Sequence, residues 1–353
     1  MSRSGISKIT LRGGHLAGRF QLITGPNGSG KTNLLDAIYY LGLCRSYFTR
    51  SDASVLYTGS DWFRLDGLLA EEGEEVLITC KYRPGTKEFL KNEIPYEKLS
   101  DHIGFIPVVM IAPDDTDIIR GGSELRRRFL DAAIAQSDPE YLRQLMTYNK
   151  VLAQRNALLK SAGDQAVLSI LNAQLSGPGD HIHATRKKYL EQFTPICSGL
   201  YAQISGGKEV PSIAYSSGLE EADMTALLKK HAFADREAGR STAGIHRDDL
   251  QFQLDVKALK EFGSQGQVKS FLIALKLAQF QLMAQNGMRK PILLLDDIFE
   301  KLDAARLDIL FSILRTEDFG QVFITDADPD RSDGFLKNAR LEHAVYDVRE
   351  LLR

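Results

Sequence analysis

Residues Gly25 to Thr32 read GPNGSGKT. The pattern is G-x-x-x-x-G-K-[ST], a loop whose backbone N–H groups turn inward around a phosphate. Side chains at Gly25, Gly28 and Gly30 would block that approach. Before the loop, Arg19–Thr24 (RFQLIT) predicts a short strand. After it, Leu34, Leu35, Ile38 and Leu41 recur at helical spacing, which predicts a helix over Thr32–Leu43. Such a helix aims its positive end at the loop. Lys31 is the residue type that bridges β- and γ-phosphates, and Thr32 the type that coordinates Mg²⁺.

Two further stretches fit this start. PILLLDDI, Pro291 to Ile298, is an apolar strand that ends in two carboxylates. Asp296 is the natural metal aspartate, and Asp297 stands next in line to orient or deprotonate an attacking water. Between loop and strand lies GSQGQVKS, Gly263 to Ser270. Val268, Phe271, Leu272, Leu275 and Leu282 form an apolar stripe behind it, so the motif predicts the N-terminus of an amphipathic helix. Ser264 and the amides near Gly266 would then face solvent or the γ-phosphate of a second subunit, with the helix dipole favouring the anion. The plainer alternative makes Ser264 the N-cap of a core helix.

The chain between these motifs changes character twice. From Asp61 to Tyr96 short β-forming runs are separated by turn signals such as Arg83-Pro84-Gly85, which predicts an antiparallel sheet. Phe105–Ile111 (FIPVVMI) predicts another buried strand. From Ser123 the sequence turns helical and charged, with further helices expected over Asp164–Leu175, Asp180–Leu200 and Leu219–Arg236. Ser176–Asp180 and Ser205–Gly207 are expected as loops. The α/β pattern returns at Thr242. The expected organisation is an α/β ATPase domain over residues 1–120 and 240–353, carrying an antiparallel β subdomain, with a helical arm over 121–239 inserted into it.

Bulk properties exclude little but point one way. The chain has 353 residues, 43% hydrophobic and 25% charged, as in an ordinary globular protein. Its formal net charge of −2 gives no global argument for nucleic acid, so a DNA-binding face would be a local basic patch. The three cysteines, Cys44, Cys80 and Cys197, are scattered, which suggests a reducing cytosol and no metal or disulfide framework. No apolar run approaches the roughly 20 residues that span a bilayer, and no secretory signal is evident, so a cytoplasmic protein without a membrane partner is expected.

GPNGSGKTNLLDAI, GSQGQVKS and LLLDDIFEKLD together resemble the head domains of ABC-type ATPases of the SMC group. Within that group the chain is similar to the bacterial RecF family. The segments that carry this are DAIYYLGLCRSYFT (Asp36–Thr49), ELRRRFLDAAIAQSDPEYL (Glu124–Leu142), Tyr148 with LAQRNALLK (Leu152–Lys160), and GIHRDDLQF (Gly244–Phe252). They run in family order across nearly the whole chain. The resemblance implies ATP and Mg²⁺ as ligands, an ATP-dependent homodimer, and DNA at gaps or junctions as a partner. It also implies work with RecO and RecR to place RecA on gapped DNA, with slow, DNA-dependent hydrolysis as a release switch. Gly25, Pro26, Asn27, Gly28, Ser29, Gly30, Lys31, Thr32 and Asn33 are then nucleotide contacts. Thr32 and Asp296 hold the metal, Ser264 and Gly266 touch the γ-phosphate of the other subunit, and Asp297, with Lys31, is catalytic. Leu302-Asp303 matches a loop that crosses the dimer interface.

The chain departs from the family pattern at three places. The segment before the phosphate loop is short and glycine-rich, without a clear strand or the Asn-Phe-Arg-Asn stretch. Asp297 stands where most ABC ATPases have glutamate, a replacement that RecF proteins share and that suggests slow hydrolysis. Phe105–Pro113 holds no glutamine to sense Mg²⁺. In addition, no histidine stands at Thr325 or Asp326, where ABC ATPases often sense the γ-phosphate. An SMC-like or transporter-associated ATPase with a mechanical role is the alternative, but an SMC protein needs hundreds of residues of heptad repeat.

The remaining candidates read as structural. Arg126, Arg127 and Arg128 fan around a helix, and Arg127 can pair with Asp131, so a solvated face is expected. His181 and His183 point apart on a helix and are expected at the surface. Tyr39, Tyr40, Tyr47 and Phe48 are expected in the core. Arg247, in His246-Arg247-Asp248-Asp249, either reaches a phosphate or fixes a lobe interface.

Overall fold

The computed structural model describes residues 8–12, 19–71, 74–161, 163–285, 289–316 and 320–351. The chain forms two compact units, Met1–Asp115 with Gln279–Arg353, and Thr116–Ala278. The first opens with β1 (Lys8–Arg12), β2 (Phe20–Thr24) and α1 (Lys31–Leu43). β3 (Phe63–Glu71), β4 (Glu74–Arg83), β5 (Thr86–Lys91), β6 (Ile94–Pro95) and β7 (Val108–Ile111) follow. The expected antiparallel sheet is there, in the order β1-β3-β4-β5-β6, with β1 added parallel to β3. β1 corrects the reading that the chain lacks the clear opening strand of the family, and β2 is the strand expected over Arg19–Thr24. KITLR alternates apolar and polar residues, a period-2 signal hidden by the glycines after it.

The second unit holds α2 (Asp117–Arg120), α3 (Ser123–Ser137), α4 (Pro139–Lys160), α5 (Gln165–Ser205) and β8 (Pro211–Ser216). It continues with α6 (Met224–Lys230), α7 (Ala232–Ala238), β9 (Asp249–Leu254), β10 (Lys257–Ala258), α8 (Leu259–Phe262) and the first part of α9 (Gln265–Gln285). It therefore runs past the expected boundary at residue 239. β9 pairs antiparallel with β8 along its whole length, which ties the chain after residue 240 to the helical segment.

α5 is one 41-residue helix, where two helices and a loop at Ser176–Asp180 were expected. Pro178 lies inside it. The buried positions Leu168, Leu171, Leu175, Gly179, Ile182, Arg186, Tyr189 and Phe193 keep a spacing of three and four straight through the proline. Packing along that stripe overrides the missing N–H. Gly179 is required by close contact, since a Cβ there would lie 2.9 Å from Met224 Cγ.

The arginine run of α3 is not a solvated face. Arg126 is buried and donates to both carboxylate oxygens of Asp249, at 2.7 and 3.0 Å. Arg127 donates to the Asp248 carbonyl at 2.6 Å rather than to Asp131. Only Arg128 stays local, paired with Glu124 at 2.6 Å. Asp131 instead accepts from Arg186, which also donates to Asp248 and to the Ile245 carbonyl. The surface reading of the two histidines is likewise corrected. His181 and His183 are half-buried, and the His183 ring stacks on Tyr215 at 5.6 Å.

His246 closes this polar core. Its Nδ1 lies 2.9 Å from the Tyr148 hydroxyl and its Nε2 3.3 Å from the Ser241 carbonyl. A neutral ring satisfies both, accepting at Nδ1 and donating from Nε2. Burial, aided by the charges of Arg247 and Arg127, pulls the ring down to about 4, against the bond to Ser241. The folded pKa is thus below the ordinary 6.5. Between those values the unfolded chain binds more protons, so stability falls as pH falls through that window. His246→Gln keeps both hydrogen bonds and removes the proton site. Its urea stability is expected to fall less steeply than wild type from pH 6.5 to 4, by up to about 1.4 kcal/mol per pH unit.

The chain then returns to the first unit as β11 (Ile292–Leu295), α10 (Ile298–Lys301), α11 (Ala304–Thr316), β12 (Val322–Asp326), α12 (Pro329–Asn338), β13 (His343–Asp347) and α13 (Val348–Leu351). These strands build an all-parallel sheet in the order β13-β2-β12-β11-β7. The core of this unit lies around α1 and includes Tyr39 and Tyr40 as expected. Tyr47 packs at its edge, whereas Phe48 is 42% exposed and outside it. Among the described residues no helix is long and apolar enough to cross a membrane.

Candidate nucleotide and metal site

All five residues of β2 are buried, and the chain leaves the strand straight into the glycine loop. Gly25 has φ 153° and Gly30 has φ 100°, backbone that favours glycine. A Cβ on Gly25 would lie 2.8 Å from Val348 Cγ1, so α13 presses directly on the loop. Gly30 is the N-cap of α1. Pro26, Asn27 and Gly28 are exposed at the crest, Ser29 is half-buried, and Asn33 is exposed on the first turn of the helix.

Lys31 is 5% exposed, and its Nζ donates to the carbonyls of Gly25 at 2.8 Å and Pro26 at 3.2 Å. An ammonium held inside its own loop is placed for an anion that the loop encloses. Ser29 Oγ is buried and has no hydrogen-bond partner among the described residues. A phosphate oxygen would satisfy it, so the loop fits a phosphate on its own chemistry.

Thr32 meets the second motif. Its hydroxyl lies 3.1 Å from each carboxylate oxygen of Asp296. Asp296 is 3% exposed at the end of β11. Burial pushes its carboxyl above the ordinary range, opposed by the hydroxyls of Thr325 and Thr32 and by Lys31. A threonine hydroxyl and one carboxylate are hard oxygen donors that suit Mg²⁺, which usually takes one or two carboxylates plus phosphate oxygens. No group of three or more His, Cys, Asp or Glu side chains among the described residues could hold a metal without such help.

Asp297 follows in left-handed backbone, φ 48°, and heads α10. Its N–H donates to Thr325 Oγ1 at 3.0 Å, and that hydroxyl donates to Asp296 Oδ1 at 2.8 Å. Thr325 is a residue whose part the sequence reading missed. Its signal is a hydroxyl in the last turn of pleat of an apolar strand, QVFITD, in a chain whose other strand end carries the carboxylates. Asp326, next to it, is fully buried and paired with Arg331 at 2.6 Å. Asp303 is exposed and accepts the Arg306 N–H at 3.0 Å, at the start of α11.

Ser264 and Gly266 belong to the second unit. Ser264 is exposed and forms a reciprocal cap with Gln267. Its Oγ accepts the Gln267 N–H at 3.2 Å, and its own N–H donates to Gln267 Oε1 at 2.7 Å. The helix behind it is not amphipathic, which corrects the expectation. Every residue from Ser270 to Phe280 is buried, because Ile273 and Leu277 fill the face opposite the expected stripe and Ala274 and Ala278 its flank.

A glycine loop between a parallel strand and a helix, with an acidic strand end two strands away, defines a P-loop ATPase head. The solved Smc head domain from Pyrococcus furiosus shares the fold, with a TM-score of 0.50 over 91% of this chain and 85% of that one at 18% identity. No family model matches the chain. The curated "DNA replication and repair protein RecF" of Flavobacterium johnsoniae is 43% identical over 336 residues, 94% of either chain. That of Parabacteroides distasonis is 43% identical over 92% of this chain and 89% of its own length. The solved recombination mediator protein RecF-ATPrS of the RecFOR pathway superposes with a TM-score of 0.82 at 28% identity, covering 94% of this chain and 90% of that one. The chain belongs to the RecF family.

A carboxylate buried as deeply as that of Asp296 costs desolvation energy in the fold. Asp296→Asn is expected to raise the urea stability of the nucleotide-free protein by on the order of 1 kcal/mol. Equal stability of variant and wild type would show that the Thr32 and Thr325 hydroxyls already compensate the charge.

Proposed function

We propose that this chain binds ATP with Mg²⁺ on Gly25–Asn33 and acts as a slow, DNA-dependent ABC-type ATPase of DNA replication and repair. One observation carries the reading: Lys31, Thr32 and Asp296 converge beside a glycine loop at the ends of parallel strands. Membership of the RecF family supports the biological setting. Lys31 would exchange the Gly25 and Pro26 carbonyls for β- and γ-phosphate oxygens, and Ser29 and the loop amides would complete the cradle. Thr32 and Asp296 would hold Mg²⁺, whose charge would offset that of the phosphates. Asp297 would take the proton of the attacking water. With one methylene less reach than glutamate, it suits a slow timer better than a fast hydrolase.

Ser264 and Gly266 would meet the γ-phosphate of a second copy, so that ATP joins two heads. The cap at Ser264 leaves the start of α9 exposed, which supports that use. Leu302-Asp303 would lie at the same junction. The joined heads would hold DNA at gaps or junctions in the cytoplasm. With RecO and RecR they would help place RecA there, and hydrolysis would release them.

Two variants separate joining from timing. Ser264→Arg is expected to bind ATP as wild type does yet stay monomeric in light scattering. A dimer formed by this variant with ATP would remove Ser264 from the junction. Asp297→Asn is expected to dimerise with ATP and stay on DNA longer, with turnover down by roughly 10²–10⁴-fold. Release from DNA at the wild-type rate, followed by fluorescence after adding competitor, would show that hydrolysis does not time release.

A further inference from the structure

Thr325 stands at a junction that the proposed roles leave unused. It is fully buried at the end of β12, one step past the pair Leu295↔Ile324, which sets it beside Asp296. On the other side Thr325 pairs with Ile23 of β2, the strand that launches the loop. A β-branched side chain on a strand has little rotamer freedom, so the hydroxyl is aimed before any ligand arrives. A hydroxyl has one proton and two lone pairs. Here the proton goes to Asp296 Oδ1 at 2.8 Å, and one lone pair takes the Asp297 N–H at 3.0 Å.

The two partners differ in kind. Asp296 contributes a carboxylate that also contacts Thr32. Asp297 contributes a backbone amide held in left-handed conformation, φ 48°, which a non-glycine residue adopts at a cost. An Asp296 carboxylate engaged by a cation takes the proton of this fixed hydroxyl in one orientation, which leaves its lone pair aimed at the amide of the next residue. We propose that Thr325 is a positioning residue whose hydroxyl couples metal occupancy at Thr32 and Asp296 to the placement of Asp297. The inference rests on the nucleotide reading above and assigns that site its internal regulator. Thr325 acts through the Asp296 carboxylate and the Asp297 backbone amide, and it makes Asp297 competent only when Asp296 is engaged.

The test compares Thr325→Ala with Thr325→Ser, since both lose the methyl group and only alanine loses the hydroxyl. In the nucleotide-free protein, hydrogen exchange of the peptide spanning Asp296–Ile298 is expected to quicken in the alanine variant and stay near wild type in the serine variant. With a fluorescent ATP analogue, the Mg²⁺ concentration for half-maximal binding is expected to rise about 10- to 100-fold in alanine and to be restored by serine. Hydrolysis per bound nucleotide should fall with it, whereas analogue affinity without Mg²⁺ should not change. Alanine and serine variants that agree in exchange and in Mg²⁺ midpoint would overturn the proposal. Wild type that fails to bind the analogue would instead sink the nucleotide reading, and the exchange comparison would still decide the role of the hydroxyl.

Discussion

Thr32 can reach Asp296 only because β2, β12 and β11 run parallel and end level with one another. That alignment is the constraint on which the rest depends. Parallel neighbours cannot be joined by a tight turn, so each needs a crossover that returns the chain to the same end. Here the crossover between β7 and β11 holds the whole second unit. The sheet closes only when residues after position 290 come back to flank a strand made before position 25. β2, β7, β11 and β12 are almost wholly buried, as helices over both faces require, and the carboxylates of β11 and β12 appear only where the strand leaves the sheet.

The second unit is organised by charge as much as by oil. Arg186 is almost fully enclosed and meets Asp131, Asp248 and the Ile245 carbonyl, while Arg155 meets Asp235 at 2.8 Å with both side chains buried. Such pairs add little net stability compared with apolar packing, but leaving one partner alone is costly. With the Tyr148–His246 bond they join α3, α4 and α5 to the loop around Gly244–Asp248, so three of the four family-specific segments, those from Glu124 onward, are parts of one polar core. Arg247 is the exception, exposed in the middle of it.

What the sequence could disclose followed from how local each signal was. The glycine loop and LLLDD are read from adjacent residues, and both stood where expected. α5 was hidden because Ser176–Asp180 carries turn residues, although the spacing of three and four runs through them. Arg126 and Arg127 were misread because the test applied was a partner four positions away. Their partners are 123 and 121 positions away. The burial of α9 goes beyond the stripe of Val268, Phe271, Leu272, Leu275 and Leu282, since even Lys276 and Gln279 are enclosed, by neighbours distant in sequence. Thr325 was invisible for a related reason, since its meaning comes from a neighbouring strand and not from its own.

β2 is paired on one side by β12 and on the other by β13, both from the last stretch of the chain. While the protein is being synthesised, the FQLIT strand that launches the glycine loop therefore emerges long before either neighbour exists. It must wait through the making of some three hundred residues, and an apolar strand without a partner is an invitation to aggregate. Val348, which presses on Gly25, arrives later still. Until β12 and β13 are made, the strand that launches the loop lacks both of its sheet neighbours, so the loop takes its place in the sheet late in synthesis although its sequence is made early.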